Sequence, residues 1–357
     1  MKTKNPYFLF IFLTISILSC KKNSDNFTEN SKLDLKYIKN ISLNEENNII
    51  KINYSNIDYN VSLDKKILPL KNIVLLSSAA VGYLENINAL NNISAVYDAQ
   101  WTFSPKLHSK IENNEIKDLG NSATANIEQI ISLKPDAVIT FTDPSKAKLV
   151  EQIKQQKIPV IFLDEYLETQ PLAKAEYIKL FGFLTNKQNT ADSLFSIVEQ
   201  NYLTLKAKTE NIKNKPTVIT NIMRGDVWYM SGGKSFNANF INDAGGNFIW
   251  KNNNDTGSVL LSFEEVLSKG KNADFWINAS NFKTYEELSN AYKNNKLFKA
   301  FETKSVYNPI KRENTNMAND IYETGNVRPD WVLEDLIHIF HPEILPNHKF
   351  VFYKALD

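Results

Sequence analysis

Four short, predominantly apolar runs recur in the first half of the chain, at 72–76, 93–97, 136–141 and 158–163, without a regular apolar–polar alternation. A strand with one face in water alternates apolar and polar residues, whereas a strand buried on both faces does not. These runs therefore read as strands covered on both sides. Amphipathic segments such as 145–157 separate them. Strand and helix alternate, which predicts a parallel sheet with helices packed on both faces.

The longest helical signal follows, at 186–214. Ala191, Leu194, Phe195, Val198, Tyr202 and Leu205 recur at spacings of three and four. Thr185 with Gln188 forms a candidate capping box at its start, and Pro216 lies beyond its end. The strand pattern then restarts at 217–222, 227–230, 274–278 and 305–308. The expected architecture is α/β: two lobes with parallel-rich sheets, 69–185 and 215–357, bridged by a single long α-helix over 186–214. A rigid helical link permits only modest hinge motion. Ahead of the first lobe, 33–68 alternates in short runs with Asn-rich turns and reads as a small β extension.

The first 19 residues have a basic start and an apolar core of about a dozen residues, too short to span the ~30 Å hydrocarbon layer of a bilayer. The only cysteine of the chain, Cys20, follows Ile17-Leu18-Ser19. This resembles the lipobox of bacterial lipoproteins, in which the cysteine becomes the lipidated first residue. On that reading 1–19 is a signal peptide and 20–32, rich in Asn and Ser, is a flexible tether. A plain signal peptide with a chance cysteine is the alternative. One cysteine excludes a disulfide framework. A net charge of +1 from 41 basic and 40 acidic residues argues against nucleic acid as a partner. With 43% hydrophobic residues the chain is globular, not disordered.

The two halves share a phrase. Asn126-Ile-Glu128-Gln-Ile-Ile-Ser132 runs into Asp136-Ala-Val-Ile-Thr140, and Ser262-Phe-Glu264-Glu-Val-Leu-Ser268 runs into Asp274-Phe-Trp-Ile-Asn278. Each reads as a capped helix entering a buried strand. Glu128 and Glu264 both fall in a first helical turn, where the helix dipole favours a carboxylate by about 0.3–1 kcal/mol.

The phrase from Leu119-Gly120 through Asn126-Ile-Glu128 to Asp136-Ala-Val-Ile139 resembles a signature of the substrate-binding proteins of ABC importers that serve ferric siderophores, haem and cobalamin. Asp243-Ala-Gly-Gly-Asn247 and the segment from Arg328-Pro-Asp-Trp to Pro342-Glu343 are similar to two further motifs of that family. The resemblance spans roughly 71–346. It implies two α/β lobes joined by one long helix, with the ligand in the cleft between them. It also implies that Glu128 and Glu264, one per lobe, meet arginines of a two-subunit permease that works with ATPase subunits. The expectation is therefore a monomeric, lipid-anchored periplasmic protein that is not an enzyme and has no resident cofactor. Its cargo is an iron complex, most simply a ferric siderophore, with cobalamin or haem as alternatives.

Ligand residues in such folds come from loops at the carboxyl ends of strands. Those positions hold Ser78, Tyr97, Trp101, Arg224, Trp228, Lys311, Arg312 and Tyr322. Planar ligands favour aromatic walls, and anionic oxygens favour the guanidinium fork. Trp250, Trp276 and Trp331 lie in runs that look buried. Gly232-Gly233-Lys234-Ser235 lacks the upstream glycine of a phosphate-binding loop, where Trp228 stands, and reads as a strand-to-helix turn. His338 and His341 share a helical spacing without a third metal ligand in view. A lipid-anchored enzyme on the same scaffold is the alternative of a different class, but the chain has no Gly-x-Ser-x-Gly elbow and no cysteine besides Cys20.

Overall fold

A computed structural model describes residues 33–357. The signal segment, Cys20 and the tether as far as residue 32 lie outside the described residues.

The first-lobe sheet has five parallel strands in the order Lys117–Asp118, Ile93–Val96, Ile73–Leu75, Ala137–Thr140, Val160–Phe162. Ile73, Val74, Ala137, Val138, Ile139 and Val160 are fully enclosed, as their unbroken apolar runs require. The second-lobe sheet runs Asn247–Phe248, Thr217–Thr220, Phe275–Ile277, Val306–Asn308, with Lys354–Ala355 added antiparallel at its edge. The shared phrase has the same work in both lobes. Asp136 accepts hydrogen bonds from the Lys71 and Asn72 amides at 2.7 and 2.9 Å, and Asp274 accepts one from the Thr217 amide at 2.8 Å. Each aspartate ties the entry of one strand to the entry of its neighbour.

The segment expected as a core strand at 227–230 belongs to a separate antiparallel sheet, Met223–Arg224, Val227–Ser231 and Ser258–Leu261. The reason is local. Only Gly225 and Asp226 separate the first two strands, and Gly225 has φ +58°. A two-residue turn joins antiparallel strands and cannot make a parallel crossover.

Helix Pro171–Leu184, which the sequence pattern does not reveal, runs through the interior with 13 of its 14 residues buried. A helix buried all round has no polar stripe to give a 3.6-residue period. Thr185 does not cap the following helix as expected. It closes this one, its hydroxyl donating to the Phe181 carbonyl at 2.7 Å. The bridging helix begins at Gln188 with Lys187 as its cap residue and ends at Thr209, a length of about 33 Å at ~1.5 Å per residue. Its amino-terminal and middle turns meet the segment ahead of the β extension, with Phe195 against Tyr37 and Glu199 bonded to Lys36. Its second half meets the second lobe, where the Tyr202 hydroxyl donates to Asp243 at 2.8 Å.

The extension is a three-stranded antiparallel sheet, Ile41–Glu46, Ile49–Tyr54 and Asn60–Asp64. Asn47 and Asn48, both at positive φ, form its first turn. It covers the outermost strand of the first-lobe sheet: the Phe162 amide donates to the Tyr54 hydroxyl at 2.9 Å, and Tyr59 packs edge-on to Phe162. An open sheet edge is thereby blunted. Buried Glu176 and Glu168 accept five successive backbone amides, Lys36 to Asn40, and fix the approach to this sheet.

Candidate ligand-binding cavity

A cavity of about 540 Å³ opens at the carboxyl ends of the second-lobe strands. Asn221 and Ile222, Ile277 and Asn278, and Pro309 stand at the carboxyl ends of three of those strands and form its floor. Pro171 and Lys174, from the first turns of the interior helix, close the side toward the first lobe. Phe236, Tyr229, Tyr322 and Tyr353 supply aromatic walls. Five asparagine side chains line it. Among the described residues, the charged groups that line it are two cations, Lys174 and Arg224.

Of the eight residues expected to grip a ligand, Arg224 and Tyr322 line this cavity. Arg224 is exposed and has no ion pair among the described residues. Its charge acts on the Tyr322 phenol. Tyr322 is exposed as a whole, but desolvation by the protein around it pushes its phenol upward and Arg224 pulls the other way.

The other six are placed elsewhere. Trp228 is fully buried, stacked on Trp276 at 5.5 Å, with its indole N–H donating to the Thr220 carbonyl at 2.9 Å. It is core, because alternation along its strand turns Trp228 inward and Tyr229 outward. The Lys311 ammonium is held by the Phe350 carbonyl. Arg312 is paired with Asp320 at 2.7 Å. Tyr97 is buried and donates to the Asn126 carbonyl. Ser78 precedes helix Ala79–Asn86 without a side-chain cap bond. Trp101 is 52% exposed on a first-lobe turn, outside the cavity lining. First-lobe strand ends thus contribute less to the cavity than expected, since the interior helix occupies that side. Trp250 and Trp276 are buried as expected. Trp331 is half-buried, with the Arg328 guanidinium stacked 3.7 Å from its ring.

Lys174 is the residue that sequence reasoning missed. It sits in an apolar helix, is 7% exposed, and places its ammonium 4.0 Å from the Phe236 ring centre. Burial lowers its pKa, and the charge of Glu165 opposes that shift. Glu165 is itself buried and pushed up to about 7, chiefly by desolvation. The Asn326 amide donates to it at 3.4 Å.

The sequence model of the family described as periplasmic binding protein matches residues 73–308, about two thirds of the chain. The chain belongs to the periplasmic binding protein family. The uncharacterized lipoprotein MJ0878 of Methanocaldococcus jannaschii is 28% identical over 298 residues, 80% of this chain and 69% of that one. Among solved structures, an ABC-type ferric hydroxamate transport protein of Saccharomonospora viridis superposes with a TM-score of 0.59 at 19% identity, covering 80% of this chain and 96% of that one. The haem-binding protein HutB of Vibrio cholerae gives 0.57 at 16%, covering 73% and 98%. At such identities these structures establish the fold, two α/β lobes with a bridging helix. As a periplasmic binding protein the chain is a carrier and not an enzyme.

In this periplasmic binding protein, Glu128 and Glu264 are both exposed, in the first turns of helices Ile127–Ser132 and Phe263–Gly270. The Asn126 side chain accepts the Glu128 amide at 2.8 Å, and the Ser262 hydroxyl accepts the Glu265 amide at 3.1 Å. A crossover helix runs back against its parallel strands, so each first turn lies at the strands' carboxyl ends. Both carboxylates therefore stand at the end of their lobe where the sheet loops gather. His338 and His341 bond different carbonyls, of Leu345 and Gly245. The Gly232–Ser235 segment is the expected turn between strand Val227–Ser231 and helix Phe236–Asp243, with Ser235 as the helix cap.

Proposed function

We propose that this periplasmic binding protein captures an iron complex, a ferric siderophore, in the cavity and delivers it to an ABC permease with its ATPase subunits. The observation that carries the reading is the cavity lining. Phenols, a phenyl ring, asparagine amides and two cations suit the outer surface of an organic chelate. Two positive charges disfavour a bare metal cation, and among the described residues the lining offers it no carboxylate, thiol or imidazole. Structural relatives named for ferric hydroxamate transport and haem binding support the same class of cargo.

Lipidation at Cys20 would tether the protein to a membrane, a reading supported by the lipoprotein name of its archaeal relative. Glu128 and Glu264 would supply one docking charge per lobe to a two-fold permease, setting orientation and on-rate more than affinity. The test is a fluorescence and calorimetric titration of the purified chain with ferric catecholate, hydroxamate and citrate complexes, haemin and cobalamin. Saturable submicromolar binding of a ferric chelate supports the siderophore reading. Tight binding of haemin or cobalamin alone replaces the cargo, and no binding of any removes it.

A further inference from the structure

The cavity has an electrical polarity that the cargo class alone does not require. Lys174 is more than nine-tenths buried, lines the cavity, and has no ion pair within 4 Å among the described residues. The carboxylate that acts on it, Glu165, stands beyond that distance. Among the described residues the Lys174 ammonium faces the ring of Phe236, a contact that stabilises a cation without taking up its N–H donors.

Two helices open onto the same spot. Pro171 is the first residue of Pro171–Leu184 and Phe236 the first of Phe236–Asp243; both line the cavity, and neither helix has an acidic residue in its first turn. Their positive dipole ends add to the lysine charge. A third helix, Pro329–Phe340, also starts at the cavity, but Asp330 in its first turn, bonded to Arg328, offsets its dipole. Arg224 carries the second charge at the exposed strand end Met223–Arg224.

We propose that Lys174 and the two unneutralised helix starts form an anion pole. On this basis the protein selects chelates of net negative charge that present a carboxylate or catecholate oxygen to Lys174, and rejects neutral chelates of similar size. The inference rests on the proposed cargo class and narrows it. A buried, unpaired ammonium is costly in the empty protein, and an anionic oxygen restores the lost solvation.

The experiment is a calorimetric titration of the full chain and its Lys174→Met and Lys174→Arg variants. The probes are an anionic ferric tris-catecholate, anionic ferric citrate and an electrically neutral ferric tris-hydroxamate. The native chain should prefer an anionic probe over the neutral one by at least tenfold. Lys174→Met should weaken that probe by about ten- to a hundredfold, the loss expected of one charge-assisted bond, leave the neutral one within about threefold, and not lower Tm. Lys174→Arg should restore part of the preference. Catecholate against citrate tells which anionic oxygen is read. Equal affinity for neutral and anionic chelates, or a preference unchanged in Lys174→Met, overturns the anion pole while the iron-chelate reading stands. Binding of none of the ferric probes overturns both.

Discussion

The carboxylate of Glu323, in the second lobe, accepts the backbone amide of Ser104, in the first, at 3.1 Å, and also that of Phe103. The Asn314 side chain donates to the Thr102 carbonyl at 3.0 Å beside it. The segment after strand Val306–Asn308 thus clasps the first lobe at a point separate from the bridging helix.

This clasp should make stability depend on pH. Burial pushes the Glu323 carboxyl up to about 8; Asp320 and Glu85 add to the shift and the two amides oppose it. Between about pH 4.5 and 8 the folded protein retains a proton that the unfolded chain has released. Stability from this group therefore falls as pH rises through that window. Glu165, at about 7, acts in the same direction. Glu323→Gln should flatten the decline, so that its Tm gains several degrees relative to the native protein between pH 5 and 9. A Tm difference independent of pH would refute this account of the clasp.

Trp228 should prove structural. It stacks on Trp276 and contacts Phe263 and Phe298 in a fully enclosed cluster. Trp228→Ala should cost about 3–5 kcal/mol in urea unfolding. Tyr229→Ala, at the next position but 43% exposed in the cavity wall, should cost less than about 1 kcal/mol and weaken ligand binding instead. Equal stability losses at both positions would contradict the assignment of inward and outward faces.

Asp335 is fully buried in helix Pro329–Phe340 and accepts the amides of Val351, Phe352 and Tyr353 as well as His348. It is what folds the carboxyl-terminal tail onto the second lobe. Asp335→Ala should destabilise by about 3–5 kcal/mol, since several buried donors lose their acceptor. Because Tyr353 lines the cavity and donates to Asn278 at 2.8 Å, ligand affinity should fall as well. Hydrogen exchange at 351–353 as slow as in the native protein would argue against this role.

Glu128→Ala and Glu264→Ala should separate docking from folding. Both side chains are exposed, and their helix caps come from Asn126 and Ser262, which remain. Each substitution should cost no more than about 0.3–1 kcal/mol of stability and leave ligand affinity intact. The double variant should fail to support uptake through the permease. Full uptake by the double variant would remove the docking role.

Much of this was legible in the sequence because burial on both faces leaves unbroken apolar runs, as at 73–75 and 137–139. Helix Pro171–Leu184 was not, because enclosure on every side erases periodicity. Of the residues placed at strand ends, Arg224 and Tyr322 line the cavity. Lys311 and Arg312 do not line it; their charges are taken up by the Phe350 carbonyl and by Asp320, partners that the sequence pattern does not mark. Lys174 escaped because nothing in the sequence separates it from Glu176 and Lys179 of the same helix; its burial against Phe236 in the cavity wall does.

The central claim, that cargo is held in the second-lobe cavity, is tested most directly by blocking it. Ser258 lines the cavity from an exposed strand position, where a tryptophan is compatible with strand geometry. The native chain and Ser258→Trp would be titrated with the ferric tris-catecholate and ferric citrate complexes. One-to-one binding by the native chain, weakened at least tenfold in a variant of unchanged Tm, is the predicted result. Equal affinity in the two proteins would place the ligand outside the cavity and contradict the account.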